Sequence, residues 1–194
     1  MNPKTSSSKT ISNSKVSIYQ MAAAALMTAL MCALGPLSIP IGPVPISLTN
    51  FVIYIAIYLL GTKSGTISYC LYLLIGMVGL PVFSGYSGGL SKLAGPTGGY
   101  LIGFIPMAVI CGIFIRNNRR KTLLPILGMV IGTITAYFFG TVWFIYQTKC
   151  NVWYALTTCV FPFLIGDAVK ILLSSKIGPA IYNALNKAHL LENL

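Results

Sequence analysis

The stretch FPFLIGDAVKILL, residues 161–173, is apolar enough to lie in a bilayer, yet it carries Asp167 and Lys170. On a helix, an acid at i and a base at i+3 share one face, and a charge held in hydrocarbon is costly unless it has a partner or a use. Asp167 is one of only two acidic residues among 194. The pair is therefore the first place to look for a ligand. The alternative is an ion pair that satisfies only itself inside a helical bundle, where it adds little stability compared with apolar packing.

The rest of the chain supports the membrane setting. Hydrophobic residues make up 56% and charged residues 8%, and the mean hydropathy is +0.82. Apolar windows fall at about residues 17–35, 48–60, 65–80, 99–115, 123–146 and 160–186, most of them near the ~20 residues that a spanning helix needs. The expectation is an all-α integral membrane protein, a compact bundle of six transmembrane helices with the second and third short. One domain, residues 16–187, follows a polar, Ser-rich tail over 1–15 and precedes a short tail over 188–194. A signal-peptide reading of the first segment lacks a small-residue cleavage site, so that helix is expected to stay.

A net charge of +11 invites a nucleic-acid partner, but the thirteen basic residues follow a topology instead. If the N-terminus lies inside, Lys4, Lys9, Lys15, Lys63, Arg116, Arg119, Arg120, Lys121, Lys176 and Lys187 are all cytoplasmic. Lys92 and Lys149 are then external, and Lys170 is in the membrane. Ten against two is a positive-inside bias that predicts both termini in the cytoplasm of a multi-pass cell-membrane protein. The run from Arg116 to Lys121 has no interleaved aromatics or soluble domain to make it a nucleic-acid surface.

Other chemistries find little support. Cys32, Cys70, Cys111, Cys150 and Cys159 form no CxxC pair and read as packing residues, and His189 has no cluster to join, so no metal is expected. Neither GYSGG nor GPTGG continues into Lys-Ser or Lys-Thr, so there is no phosphate loop, and an ATPase would have to be another subunit. HExxH and paired aspartates are both missing from the sequence. No catalytic residue is nominated, and no cofactor is expected.

Two connecting segments stand out, both external in this topology. Residues 35–50, GPLSIPIGPVPISLTN, hold four prolines and should form a stiff extended segment, a lid or a wall. Residues 79–100, GLPVFSGYSGGLSKLAGPTGGY, are glycine-rich, which lets backbone N–H groups approach a small molecule. Irregular backbone at membrane depth is tolerated only against protein or a wet cavity. Pro162 suits the first turn of the last helix, placing Asp167 and Lys170 ~7 to 12 Å in from the external end at 1.5 Å per residue. A mid-helix kink at Pro162 would bury them deeper.

The ordered set Pro43-Val44-Pro45-Ile46-Ser47-Leu48, Gly79-Leu80-Pro81-Val82-Phe83 with Gly88-Gly89, Gly95-Pro96-Thr97-Gly98-Gly99-Tyr100, and Gly166-Asp167 with Lys170 resembles the biotin-specific substrate-binding subunits of energy-coupling-factor vitamin transporters, the BioY family of S components. The resemblance covers residues 16–175 and departs from the family pattern at Thr49, where Gln is common, and at Tyr86, where Gly is frequent. It implies a six-helix bundle that binds biotin near the outer surface and does no chemistry. A transmembrane coupling protein and two cytoplasmic ATPase subunits would drive release inside.

Biotin offers two ureido N–H donors, a ureido oxygen, an apolar thioether ring and a carboxylate. Asp167 can accept from the ureido N–H groups, while Lys170 can hold either the ureido oxygen or the carboxylate. Ser47, Thr49, Asn50, Phe83, Ser84, Tyr86, Ser87 and Tyr100 complete the candidate pocket, although aromatics in such spans also serve as an interfacial belt. Ala25, Ala29 and Ala33 form a small-residue stripe that would either dock on the coupling protein, as the resemblance implies, or pack within the bundle. A self-sufficient carrier of biotin or a similar vitamin is the alternative function. Such carriers often show internal repeats, and the two halves of this chain do not match.

Overall fold

The computed structural model describes residues 18–40, 43–116, 118–119 and 122–188. Helix α1 runs Ile18–Leu34, followed by strands β1, Ser38–Ile39, and β2, Ile46–Ser47. Helices α2, Thr49–Met77, α3, Leu90–Ala94, α4, Gly98–Arg116, α5, Leu123–Thr148, α6, Val152–Cys159, and α7, Phe161–Lys187, follow in order. Residues 1–17, with the expected N-terminal tail, lie outside the described residues, as do Arg120, Lys121, His189 and the rest of the C-terminal tail.

Among the described residues the regular structure is all helix apart from the two-residue strands. Among the described residues, four segments are long and apolar enough to cross a membrane: Thr49–Met77, Gly98–Arg116, Leu123–Thr148 and Val152–Lys187, with Ile18–Leu34 a shorter apolar helix. The expected gap between the second and third helices, residues 61–64, shrinks to a single residue. Gly61 has φ 78 and ψ 179, a backbone region that is open essentially to glycine. A Cβ on Gly65 would lie 3.2 Å from the Ile57 Cα, whereas eight residues of continuous helix span about 12 Å. The chain therefore doubles back at Gly61, and α2 is two limbs, residues 49–60 and 62–77.

The proline-rich segment also folds more tightly than expected. β1 and β2 pair antiparallel, Ser38 opposite Ser47 and Ile39 opposite Ile46, so it is a small hairpin rather than a single extended strap. The glycine-rich segment is pinned throughout. The Tyr72 hydroxyl donates to Val82 O at 3.0 Å, Gly85 N–H to Pro36 O at 3.1 Å and Trp143 Nε1 to Gly95 O at 2.9 Å. Gln147 donates to Ala94 O. These bonds hold both segments at one end of the bundle, where the Tyr100 hydroxyl donates to Cys159 O of α6 at 3.0 Å.

The opposite end carries the turn at Gly61, the connection from α4 to α5 and the last turns of α7. Arg119 ties them together, with its guanidinium 4.7 Å over the Tyr182 ring and an Nη 3.0 Å from where a Gly61 Cβ would stand. Between the ends, α2, α4 and α5 supply a core of Ile53, Tyr54, Ile57, Met107, Cys111 and Met129. Close approach rests on small residues. Gly112 faces Thr62, Gly132 faces Met107 and Cys111, and Gly178 faces the Tyr58 ring. The outward faces are studded with Ile113, Ile134, Phe138 and Ile165, the pattern of helices whose surroundings are hydrocarbon.

Candidate functional site

Asp167 and Lys170 project from the second and third turns of α7 into the bundle, 6% and 8% exposed. As the i, i+3 spacing requires, they meet: Lys170 Nζ lies 3.0 Å from Asp167 Oδ1. The pair is not closed on itself. Lys170 also donates to Ser47 O at 2.7 Å and to Asn50 Oδ1 at 3.1 Å, so its three N–H groups have three acceptors. Asp167 Oδ1 accepts from Asn50 Nδ2 at 2.8 Å, and Oδ2 accepts from the Tyr137 hydroxyl at 2.5 Å. Asn50 can face cation and anion at once only in this amide orientation, oxygen to the ammonium and nitrogen to the carboxylate.

Local structure explains how distant residues converge. The hairpin ends at Ser47, two residues before α2 begins, so the Ser47 carbonyl is free of the helix ladder and turns toward Lys170. Asn50 sits in the first turn of α2. Tyr137 comes from the middle of α5, in a stripe Thr133, Tyr137, Thr141 at four-residue spacing that faces inward through an otherwise apolar helix. Thr133 donates to Met129 O at 2.7 Å and is therefore left to accept from the Tyr54 hydroxyl, also at 2.7 Å.

These groups line one side of a cavity under the hairpin and the glycine-rich segment, with about 60 Å³ open to the centre of a water molecule. Val44, Pro45 and Ser47 roof it, and Ser84 and Thr97 come from the glycine-rich segment. Tyr100, Phe104 and Phe163 give it an aromatic wall. The arrangement combines a fixed carboxylate, a fixed ammonium, an amide and a phenol hydroxyl with apolar ring faces. It suits a small ligand that carries both donors and acceptors on an apolar body.

Of the expected pocket residues, Ser47, Asn50, Ser84, Tyr100, Asp167 and Lys170 line this cavity, and four do not. Thr49 is buried one position away, its Oγ1 accepting from Ser47 Oγ at 3.2 Å. Phe83 is wholly buried edge-on to Tyr72, in the notch left by Gly76, and anchors the loop instead of facing a ligand. Ser87 pairs with Phe83 and donates to Ser84 O at 2.8 Å. Tyr86 is 67% exposed at the loop tip, with φ 54, a left-handed backbone where glycine would fit without strain. Sequence reasoning missed Tyr137, Thr133, Thr97, Phe104 and Phe163. Only the hydroxyl stripe on α5 could have flagged the first two.

Ala25, Ala29 and Ala33 are exposed on α1, while Ala24, Thr28 and Met31 face the bundle. Thr28 fixes that rotation by donating to Ser68 O on α2 at 3.0 Å. The stripe is thus an outward face and not part of the chain's own core.

A helical bundle crossing the membrane several times, with a buried, hydrogen-bonded ion pair walling a small cavity beneath two rigid loops, is the architecture of a membrane protein that captures a small solute. The chain belongs to the BioY family, whose model matches residues 6–187. It is 31% identical over 169 residues to the biotin transporter BioY2 of Lactococcus lactis, covering 87% of this chain and 93% of that one. To the biotin transporter BioY of the same organism it is 37% identical over 158 residues, covering 77% and 83%. Its fold matches the crystal structure of the S component for biotin from an ECF-type ABC transporter, with a TM-score of 0.78 at 32% identity, covering 84% and 90%.

Proposed function

We propose that this protein is the biotin-binding S subunit of an ECF-type importer, a multi-pass membrane protein that captures the vitamin for uptake. The observation that carries the reading is the four-residue polar cluster of Asp167, Lys170, Asn50 and Tyr137 on the cavity wall, in a chain whose relatives are biotin transporters. Ureido N–H groups suit the Asp167 carboxylate, and an ureido oxygen or carboxylate suits the Lys170 ammonium. Tyr100, Phe104 and Phe163 offer apolar faces to the thioether ring.

Six crossings follow from counting the limbs of α2 separately, and both termini then lie on one side. The basic residues put that side in the cytoplasm and the cavity near the outer surface. The outward alanine stripe on α1 is the contact with a transmembrane coupling protein, which two cytoplasmic ATPase subunits drive. Small residues there let another helix approach closely. Equilibrium binding of labelled biotin to the purified chain alone tests the core of the reading. Saturable binding that a large excess of unlabelled biotin abolishes is expected, and its absence in folded protein would refute the assignment.

A further inference from the structure

The end of the bundle remote from the cavity carries a charge problem that biotin capture does not use. Thr62 packs on Gly112, one helical turn before Arg116, and Arg119 reaches to Gly61, two residues before Lys63. Lys63, Arg116 and Arg119 therefore share one rim. The two side chains that flank the turn, Lys63 and Arg116, are exposed, and Arg119 is half-buried against Tyr182. Among the described residues the only carboxylate is that of Asp167, which is committed to Lys170 at the other end.

Arg119 is the distinctive member. Held against the Tyr182 ring and beside Gly61, its guanidinium is fixed in place before any anion arrives. A planar, preorganised fork matches phosphate oxygens better than a mobile ammonium does. Three cations with no carboxylate beside them among the described residues, one of them rigid, gathered where the Gly61 turn of α2 meets the end of α4 and α7, are complementary to a phospholipid headgroup at the same depth.

We infer that the rim formed by Lys63, Arg116 and Arg119 is a binding site for an anionic phospholipid, the phosphate resting on the Arg119 fork and the two exposed cations framing it. The inference rests on the membrane topology and not on the identity of the transported solute. Occupation of the site would tie the turn at Gly61 to the ends of α4 and α7, bracing the end of the bundle farthest from the cavity.

Lipid retention by the full-length purified chain, measured by native mass spectrometry, tests this, with phosphatidylglycerol and phosphatidylcholine of matched acyl chains as probes. Preferential retention of phosphatidylglycerol is expected, falling about fivefold for each of Lys63→Gln, Arg116→Gln and Arg119→Gln. Lys92→Gln, at the cavity end, should leave it unchanged. Arg119→Lys keeps the charge but loses the fork, so it should fall part of the way and covers the case in which Arg119→Gln does not fold. Glu192→Gln, in the C-terminal segment, should not weaken retention. Equal retention of the two lipids by the native chain, or undiminished preference in the rim variants, would overturn the proposal. So would rim variants that lose assembly with a coupling protein while keeping the lipid preference, because the rim would then be a protein contact. Biotin binding is measured alongside, and its outcome bears on the cavity alone.

Discussion

Neutralising the buried pair in two steps separates its part in the fold from its part in binding. Lys170→Met removes three donated bonds, to Ser47 O, Asn50 Oδ1 and Asp167 Oδ1, and leaves a buried carboxylate with only Asn50 and Tyr137 as donors. Stranding one member of a buried ion pair costs about 3–5 kcal/mol. Asp167→Asn strands the ammonium instead, but Ser47 O and Asn50 Oδ1 still accept from it, so a cost near the lower limit is expected. With Asp167→Asn and Lys170→Met combined, no charge remains buried, and stability should return to within about 2 kcal/mol of the native chain. Binding should not return with it. Charge-assisted hydrogen bonds contribute about 1.5–3 kcal/mol each, so each single variant should bind biotin at least ~10-fold more weakly and the double variant no better. Thermal unfolding in one detergent and equilibrium binding of labelled biotin, on the same preparations, give both quantities. A double variant that regains native affinity along with stability would refute the reasoning, because the pair would then serve the fold alone.

Three further outcomes follow from the geometry. Gly76→Ala puts a Cβ about 2.1 Å from the Phe83 ring, an overpacking worth about 1–3 kcal/mol; unfolding should come earlier and biotin affinity should fall as the glycine-rich segment shifts, and unchanged values for both would mean that Phe83 does not anchor it. Ala29→Trp, on the outward face of α1, should prevent co-purification with a coupling protein while biotin binding stays within about twofold, because a large side chain holds helices apart; a joint loss of binding and folding would count against the docking role. In intact cells, an impermeant thiol reagent should label Ser87→Cys but not Asn13→Cys, and the reverse pattern would invert the topology.

How much of this was open to reading from the sequence depends on the distance over which each feature is decided. Asp167 and Lys170 meet because a helix puts i and i+3 on one face, a local fact, and α7 begins beside Pro162 for the equally local reason that proline lacks a donor. Hydropathy windows located the long helices but not the single-residue reversal at Gly61, since a window averages over the one backbone angle that matters. Asn50 was within reach because it borders an unusual loop. Tyr137 was missed because its one local mark is the four-residue hydroxyl spacing on α5, and its partner lies thirty residues further on. Phe83 shows the opposite error. Its loop suggested a ligand wall, while the notch that claims the ring is made by the absent side chain of Gly76 on a different element.

Every proton on Lys170 has an acceptor within the protein before any solute arrives, and both oxygens of Asp167 have donors. On the proposed reading, capture is an exchange reaction at Lys170: the solute must replace hydrogen bonds that the ammonium already makes, while Asp167 Oδ2, with one donor, can still accept another. A molecule of the right outline but without matching donors would leave a buried ion underserved, so a site of this kind rejects mimics far more strongly than it rewards a good fit.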